Sequence, residues 1–214
     1  MAPPPRRLVV LARWPAPGRC KRRLAASCGS ASAAAAVQHA LTLHTLAAAR
    51  AGAAAAGAEL WLAVDGLGER ARRRWGAQLG GPICIGQGGG SLGTRLQRQW
   101  RQAFGAGAAQ VVLIGSDLPR LEAADLTAAF EALERRPLVL GPALDGGYWL
   151  IGLNRNGFAR AGAQLVAGMP WGGPQVLAST LSAASGCGLE LELLRRQGDL
   201  DQHGDLAPWQ GRLR

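Results

Sequence analysis

The sequence predicts an α/β domain: three layers, α/β/α, doubly wound around a mostly parallel sheet. Three observations carry that expectation. The first is Val111-Val-Leu-Ile-Gly-Ser-Asp-Leu-Pro119, where four consecutive apolar residues, three of them β-branched, read as a strand buried on both faces. The second is the alternation of such apolar runs with helical patterns along the chain, the signature of a doubly wound sheet. The third is where the glycine-rich turns fall. They follow the strands, where open α/β sheets bind ligands.

Taken in order, the first expected strand is Leu8-Val-Val-Leu-Ala12. It feeds Arg13-Trp-Pro-Ala-Pro-Gly-Arg-Cys-Lys-Arg-Arg-Leu24, a loop punctuated by Pro15, Pro17 and Gly18 that enters a helix near Cys20. A first strand-to-helix turn rich in glycine and basic residues suits phosphate, because free backbone donors and the helix dipole both favour anions. A basic surface loop is the other reading, since neither a Walker loop nor GxGxxG is present. A long helix is expected from about Ser32 to Arg50, with Val37, Leu41, His44 and Ala48 along one stripe. Glu59-Leu-Trp-Leu-Ala-Val-Asp65 is the second strand and Pro82-Ile-Cys-Ile85 a short third. The run Gly86-Gln-Gly-Gly-Gly-Ser-Leu-Gly-Thr-Arg95 is either a plain flexible turn or a place where backbone approaches a base or phosphate. It opens a helix from Leu92 to about Phe104, with Leu96 and Trp100 on one face.

The buried strand at Val111 comes next, and Pro119 forces the chain to leave the sheet extended. Asp117 is thereby presented just past a strand end, where it reads equally as a turn cap and as a ligand. A helix from Glu122 to Arg135 turns Leu126, Phe130 and Leu133 inward, and its dipole accounts for Glu122 and Asp125 in the first turn. Leu138-Val-Leu-Gly-Pro142 and Gly147-Tyr-Trp-Leu-Ile-Gly-Leu153 are two further buried strands, separated by Ala143-Leu-Asp-Gly-Gly147. A helix about Gly173–Ala184 and a half-exposed edge strand, Leu189 to Leu194, follow. The chain closes on Asp199-Leu-Asp-Gln-His-Gly-Asp205. No internal repeat or linker interrupts it, so a single domain over residues 1–214 is expected.

Composition narrows the function. Cys20, Cys28, Cys84 and Cys187 show no paired or metal-like spacing, which fits a reducing cytosol with no disulfide or zinc, and hence a cytoplasmic location. The alanine-rich stretch Ala31–Ala58 carries Gln38, His39, His44 and Arg50, so no membrane span is expected. The formal net charge of +10 is uneven. Residues 1–110 carry 15 basic and 3 acidic side chains, and residues 111–214 carry 9 basic and 11 acidic. The first half is arranged for anions and the second supplies carboxylates. Nucleic acid is not expected as the anion, because Arg72-Arg73-Arg74 lies in a short helix without interleaved aromatics. Among 24 basic residues Lys21 is the one lysine, a position where a compact ammonium rather than a planar fork is retained.

Three carboxylate groups stand at expected strand ends: Asp117, Asp145 and the pair Asp199/Asp201. Such oxygen ligands suit Mg²⁺ or Mn²⁺, which take carboxylates plus substrate phosphate and water. Metal plus lysine around a polyphosphate is the arrangement that phosphoryl transfer requires, and it needs no protein nucleophile. No GxSxG elbow occurs, and no cysteine has an obvious histidine partner.

The segments Arg13–Leu24, Gly115-Ser-Asp-Leu-Pro119, Gly141-Pro-Ala-Leu-Asp-Gly-Gly-Tyr148 and Asp199–Leu206 together resemble the DUF2064 family. Its members are GT-A-fold, Rossmann-like proteins labelled glycosyltransferase or nucleotide-diphospho-sugar transferase. The layout is also similar to 2-phospholactate guanylyltransferase and, more distantly, to molybdenum-cofactor guanylyltransferase. The resemblance implies a Mg²⁺- or Mn²⁺-dependent transferase acting on a nucleotide (an NTP or NDP-sugar) and a small-molecule acceptor. It implies Lys21 as phosphate ligand and Asp117, Asp199 and Asp201 as metal ligands, with Lys21, Asp117 and Asp145 as the catalytic set. Ala12, Arg13, Gly18, Lys21, Gly88, Gly89, Ser91, Leu92 and Ser116 would bind the nucleotide. Asp145, Gly146, Gly147, Tyr148 and Trp171 would face the acceptor.

The chain departs from the family pattern at three places. Arg22 stands where threonine is usual, Ser91 where aspartate is usual, and Gly172-Gly173 where Ser-Thr is frequent. The first keeps positive charge, the second touches recognition of base or sugar, and the third removes two hydroxyls from the acceptor side. Nucleotidyl transfer to a small phosphorylated acceptor and sugar transfer from a nucleotide stand equal at this level. A nucleotide-binding regulatory protein without catalysis is the alternative, and a homodimer is left open.

Overall fold

The computed structural model describes residues 5–198. Fourteen elements alternate along them. The first half holds β1 (Arg6–Arg13), α1 (Arg22–Cys28), α2 (Ala31–Ala56), β2 (Ala58–Asp65), α3 (Glu69–Gln78), β3 (Ile83–Gly86) and α4 (Leu92–Gly105). The second holds β4 (Gln110–Gly115), α5 (Ala123–Arg135), β5 (Leu138–Pro142), β6 (Tyr148–Asn154), α6 (Arg155–Ala161), α7 (Val176–Gly186) and β7 (Leu191–Leu193).

The strands form one sheet in the order β3-β2-β1-β4-β6-β5-β7. Every pairing is parallel except those of β6 with β4 and β5. Successive strand residues face opposite sides, and the two faces bury separate cores. Leu8, Val10, Leu62, Val112 and Val139 pack against α2, α3 and α5. Val9, Trp61, Leu113, Leu140 and Ile151 pack against α4, α6 and α7. The three-layer, mostly parallel architecture expected from sequence is therefore present.

Chain direction places the site. From β1 the chain steps outward to β2 and β3, then returns to the opposite side of β1 as β4. The order reverses between β1 and β4, and the crevice beyond their C-terminal ends is where such sheets bind ligands.

Several elements differ from expectation for identifiable reasons. Helix α2 runs on to Ala56, because nothing breaks the alanine run until Gly57 caps it in the left-handed conformation (φ 61°). Its buried stripe is also rotated. Gln38, Leu41, Thr42, Thr45, Leu46 and Ala49 face inward, while His44 is exposed and Val37 and Ala48 are half-buried. A stripe read from apolar residues alone misses buried polar ones such as Thr42, whose hydroxyl is satisfied locally by donating to the Gln38 carbonyl at 2.8 Å. The first helix starts at Arg22 rather than near Cys20, and the helix expected from Gly173 starts at Val176. Helix α6 was not expected; Asn154 caps it by accepting from Gly157 N–H at 2.9 Å. Strand β7 is the half-exposed edge that its alternation suggested.

Candidate functional site

The loop after β1 builds the first wall. Trp14 N–H donates to the Asp65 carbonyl at 2.9 Å, and its ring meets Trp75 edge-on at 5.1 Å. These contacts fix the start of the loop against the end of β2. Cys20 is buried, with its sulfur on the Ala16 carbonyl at 3.4 Å. Burial and the nearby Asp117 charge push its thiol up, so it packs rather than reacts. Lys21 then adopts φ 46° and ψ 48°, the one non-glycine left-handed residue among those described. That conformation costs an L-residue roughly 1–2 kcal/mol, and such outliers concentrate at functional sites.

The strained turn sends the Lys21 side chain inward. It is 2% exposed and places Nζ 3.0 Å from Asp117 Oδ2, a carboxylate that is itself 40% exposed. The second oxygen, Oδ1, accepts from Gln38 Nε2 at 2.8 Å. The same amide reaches the buried Ser116 hydroxyl at 3.3 Å. Helix α2 thus holds the segment beyond β4 through Gln38. Asp117 is fixed from two sides.

A second carboxylate organises the neighbouring strand ends. Asp65, the last residue of β2, accepts from Arg13 Nε at 3.0 Å and Arg95 Nη1 at 2.8 Å. Burial opposes its ionisation, but the hydrogen bonds and charge of Arg95, then of Arg13, outweigh it and hold the carboxyl below its usual range. Gln87 ties the strand ends together by donating to the Ala12 and Ala63 carbonyls at 3.1 and 3.0 Å.

These residues enclose a cleft of about 300 Å³ lined by Arg13, Lys21, Gln38, Asp65, Gln87, Leu92, Arg95, Ser116 and Asp117, among others. A second cleft of about 330 Å³ shares Leu92, Gly115 and Asp117 with it and continues to Asp145, Gly147, Tyr148, Trp149, Trp171 and Gly172-Gly173. Asp117 belongs to both.

The expected nucleotide residues are only partly gathered here. Arg13, Lys21, Leu92 and Ser116 line the first cleft. Ala12 is buried, with its carbonyl facing Gln87. Gly18 lines a neighbouring basic cleft with Arg19 and Arg22. Gly88 and Gly89 line neither main cleft; Arg98 packs over Gly88 and donates to the Gly89 carbonyl at 3.2 Å. Ser91 caps α4 by accepting from Thr94 N–H at 3.3 Å.

Among the residues expected to face an acceptor, Asp145 Oδ1 accepts from Gly147 N–H at 2.9 Å, which fixes the turn joining β5 to β6. Gly146 sits at φ 90°, where a Cβ would fall 2.2 Å from the Pro174 carbonyl oxygen, so only glycine fits this turn. Burial pushes the Tyr148 phenol far above its usual range, so Tyr148 acts as a neutral wall and not as a base. Its ring meets Trp171 edge-on at 6.2 Å.

The last described segment is anchored beside this cleft. Arg195 makes a paired contact with the buried Asp125 carboxylate, and Gln197 N–H donates to the Pro142 carbonyl at 3.0 Å. Gly198 then lies against Leu144. Asp199 and Asp201, the other expected metal ligands, lie outside the described residues. Among the described residues no group of three or more His, Cys, Asp or Glu is assembled for a metal, and no helix is long and apolar enough to cross a membrane.

Gln38, Asp65, Gln87 and Arg95 are the site residues that the sequence did not single out. A signal existed for two of them. Asp65 closes a strand as Asp117 nearly does, and Gln38 is an amide within an alanine-rich helix.

Known structures place this geometry in context. A protein from Desulfovibrio desulfuricans assigned as a nucleotide-diphospho-sugar transferase is 28% identical, with a TM-score of 0.81 over 94% of this chain and 84% of that one. CMP:2-keto-3-deoxy-manno-octonic acid synthetase in complex with CTP is 14% identical, with a TM-score of 0.55 over 95% and 96%. Rv0371c from Mycobacterium tuberculosis in complex with manganese is 17% identical, with a TM-score of 0.56 over 96% and 97%. The latter two likenesses concern the fold alone. No protein of curated function matches the chain in sequence. The family model described as an uncharacterized protein conserved in bacteria matches residues 45–173, more than half of the sequence, and the chain belongs to that family, DUF2064.

Proposed function

We propose that the protein is a divalent-metal-dependent transferase that binds a nucleotide in the first cleft and passes a group from it to a small acceptor in the second. One observation carries this reading. Asp117 stands at the switch point, lines both clefts, and faces the buried Lys21 ammonium at 3.0 Å. Transfer from a nucleotide is chiefly a matter of positioning and of charge neutralisation around the phosphates. Lys21 supplies a compact cation for that purpose, and Asp65 holds Arg13 and Arg95 beside it.

The residues fit Mg²⁺ or Mn²⁺. Each Asp117 oxygen accepts one hydrogen bond or ion pair, from Gln38 or Lys21, and a carboxylate oxygen has a second lone pair. Mg²⁺ is usually held by one or two carboxylates together with water and substrate phosphate. Asp199 and Asp201 are proposed as the further ligands, because Asp199 directly follows Gly198, which abuts the turn that carries Asp145. When bound, the ion would neutralise charge developing on the leaving phosphate.

The acceptor hydroxyl approaches from the second cleft. Its oxygen bonds to the transferred centre as the bond to the leaving phosphate oxygen breaks, and that oxygen keeps the electron pair. The hydroxyl proton passes to Asp145, whose Oδ1 is fixed by Gly147 N–H and whose Oδ2 lies outside that bond. The transferred group is either a nucleotidyl unit, with release of pyrophosphate from an NTP, or a sugar from an NDP-sugar. A thermal-stability screen of NTPs and NDP-sugars with and without Mg²⁺ tests the reading, because a ligand of the folded state raises apparent stability by mass action. Stabilisation of several degrees that needs both nucleotide and metal is expected, and no stabilisation by any nucleotide would sink the proposal. Pyrophosphate release across four NTPs then separates the two transfers.

A further inference from the structure

The two clefts share Asp117 but differ in charge. The first is walled by Arg13, Lys21 and Arg95. The second receives no Arg, Lys or His from the described residues. Its walls are Tyr148, Trp149, Trp171, Leu118 and Val176, and the charges it contains among the described residues are the carboxylates of Asp117 and Asp145. The Trp149 indole N–H is directed away, to the Arg195 carbonyl at 3.2 Å. Trp171 and Tyr148 form an edge-to-face corner. Gly172 and Gly173 leave the rim bare of side chains.

We infer that the acceptor is an uncharged, hydroxyl-bearing ring of the monosaccharide or cyclitol kind, and that its phosphorylated counterparts are disfavoured. The inference rests on the two-cleft transfer reaction proposed above and names the class of its second substrate. Lys21 and the proposed ion offset the charge of Asp117, so the repulsion falls to Asp145, whose carboxylate accepts hydrogen bonds from hydroxyl groups and repels phosphate. The apolar face of a sugar or cyclitol ring suits an aromatic corner, while its hydroxyls reach Asp145. An ammonium-bearing acceptor drawn to Asp117 would meet Lys21 there, so a cation is disfavoured as well. A volume of about 330 Å³ is at the small end for ligand sites and fits a single ring.

The test is calorimetric titration of D-glucose and myo-inositol, each against its monophosphate, into protein saturated with the stabilising nucleotide and Mg²⁺. Prior saturation keeps the phosphate esters out of the first cleft. The neutral member of a pair is expected to bind about tenfold tighter than its monophosphate, with the response lost in Trp171→Ala. Gly173→Lys, which brings an ammonium to the rim, is expected to narrow or reverse that preference. Tighter binding of a monophosphate to the nucleotide-loaded wild type overturns the inference. So does the absence of any Trp171-dependent response to either neutral compound at about 10 mM. Retained stabilisation by nucleotide confirms that each variant is folded. A protein that no nucleotide stabilises fails earlier, at the transferase reading, and takes the inference with it.

Discussion

Lys21 combines a left-handed backbone with an ammonium buried against a half-exposed carboxylate. Neither feature serves the core, since the turn could be made by glycine at lower cost. Lys21→Gly therefore separates stability from binding. Relief of the strained turn offsets the greater chain entropy of glycine, each being about 1 kcal/mol. The variant is expected to melt within a few degrees of wild type while its nucleotide-dependent shift shrinks, and scanning calorimetry with and without nucleotide checks both. Asp117→Asn keeps the shape and the Gln38 contact but removes the charge. It is expected to abolish turnover and the Mg²⁺ dependence of stabilisation, and to lower the melting temperature because the buried Lys21 ammonium loses its counterion. Retained turnover would remove Asp117 from the mechanism. Lys21 was legible in the sequence as the one lysine among 24 basic residues, and Asp117 as a carboxylate beyond a buried strand. Gln38 was not, because its role exists only once α2 packs across the end of β4.

At the scale of elements, the strands were the most legible part, since runs buried on both faces carry a strong signal. The antiparallel direction of β6 was also present in the spacing. The five residues Ala143–Gly147 can make a hairpin turn but are too few for a crossover, which takes a dozen or more. Helix α6 was missed, and the inward face of α2 was misread because alanine on every side blurs it. The close approach of α2 to α5 shows why that composition is needed. A Cβ at Gly52 would lie 2.8 Å from Leu126 Cβ and 3.0 Å from the Ala123 carbonyl oxygen. Helix propensity alone favours alanine over glycine by about 1 kcal/mol, but overpacking costs roughly 1–3 kcal/mol. Gly52→Ala is therefore expected to lower the melting temperature rather than raise it, as thermal denaturation followed by circular dichroism will show.

Across the whole molecule, the charge asymmetry of the sequence becomes a division of labour. Arg13, Lys21 and Arg95 come from the basic first half, and Asp117 and Asp145 from the acidic second. Nucleotide affinity is expected to fall as salt rises, because Arg13 and Arg95 at the first cleft are partly exposed and screened. The end of the described chain is held by another such pairing. Burial opposes ionisation of Asp125, but Arg195, the Glu122 N–H and Gln197 hold its carboxyl below the ordinary 3.8. A depressed carboxylate contributes stability above its unfolded value and loses it as pH falls toward the folded one. Arg195→Ala lets that carboxyl rise, so acid unfolding should begin at higher pH, with about 1–3 kcal/mol lost at neutral pH. An acid titration followed by circular dichroism reads both effects, and an unmoved midpoint would show that the Asp125–Arg195 pair does not anchor the segment.

The contact between Lys21 and Asp117 has a consequence for how the two ligands of the first cleft meet. Each group is the other's counterion while the cleft is empty. A divalent ion drawn to Asp117 weakens its hold on the ammonium and frees Lys21 for phosphate, and phosphate drawn to Lys21 frees Asp117 for the ion. Under the proposed function, metal and nucleotide are therefore expected to raise each other's affinity, and thermodynamic reciprocity requires the same factor in both directions. In Lys21→Gly the exchange has no partner, and the two ligands should bind with that mutual enhancement diminished.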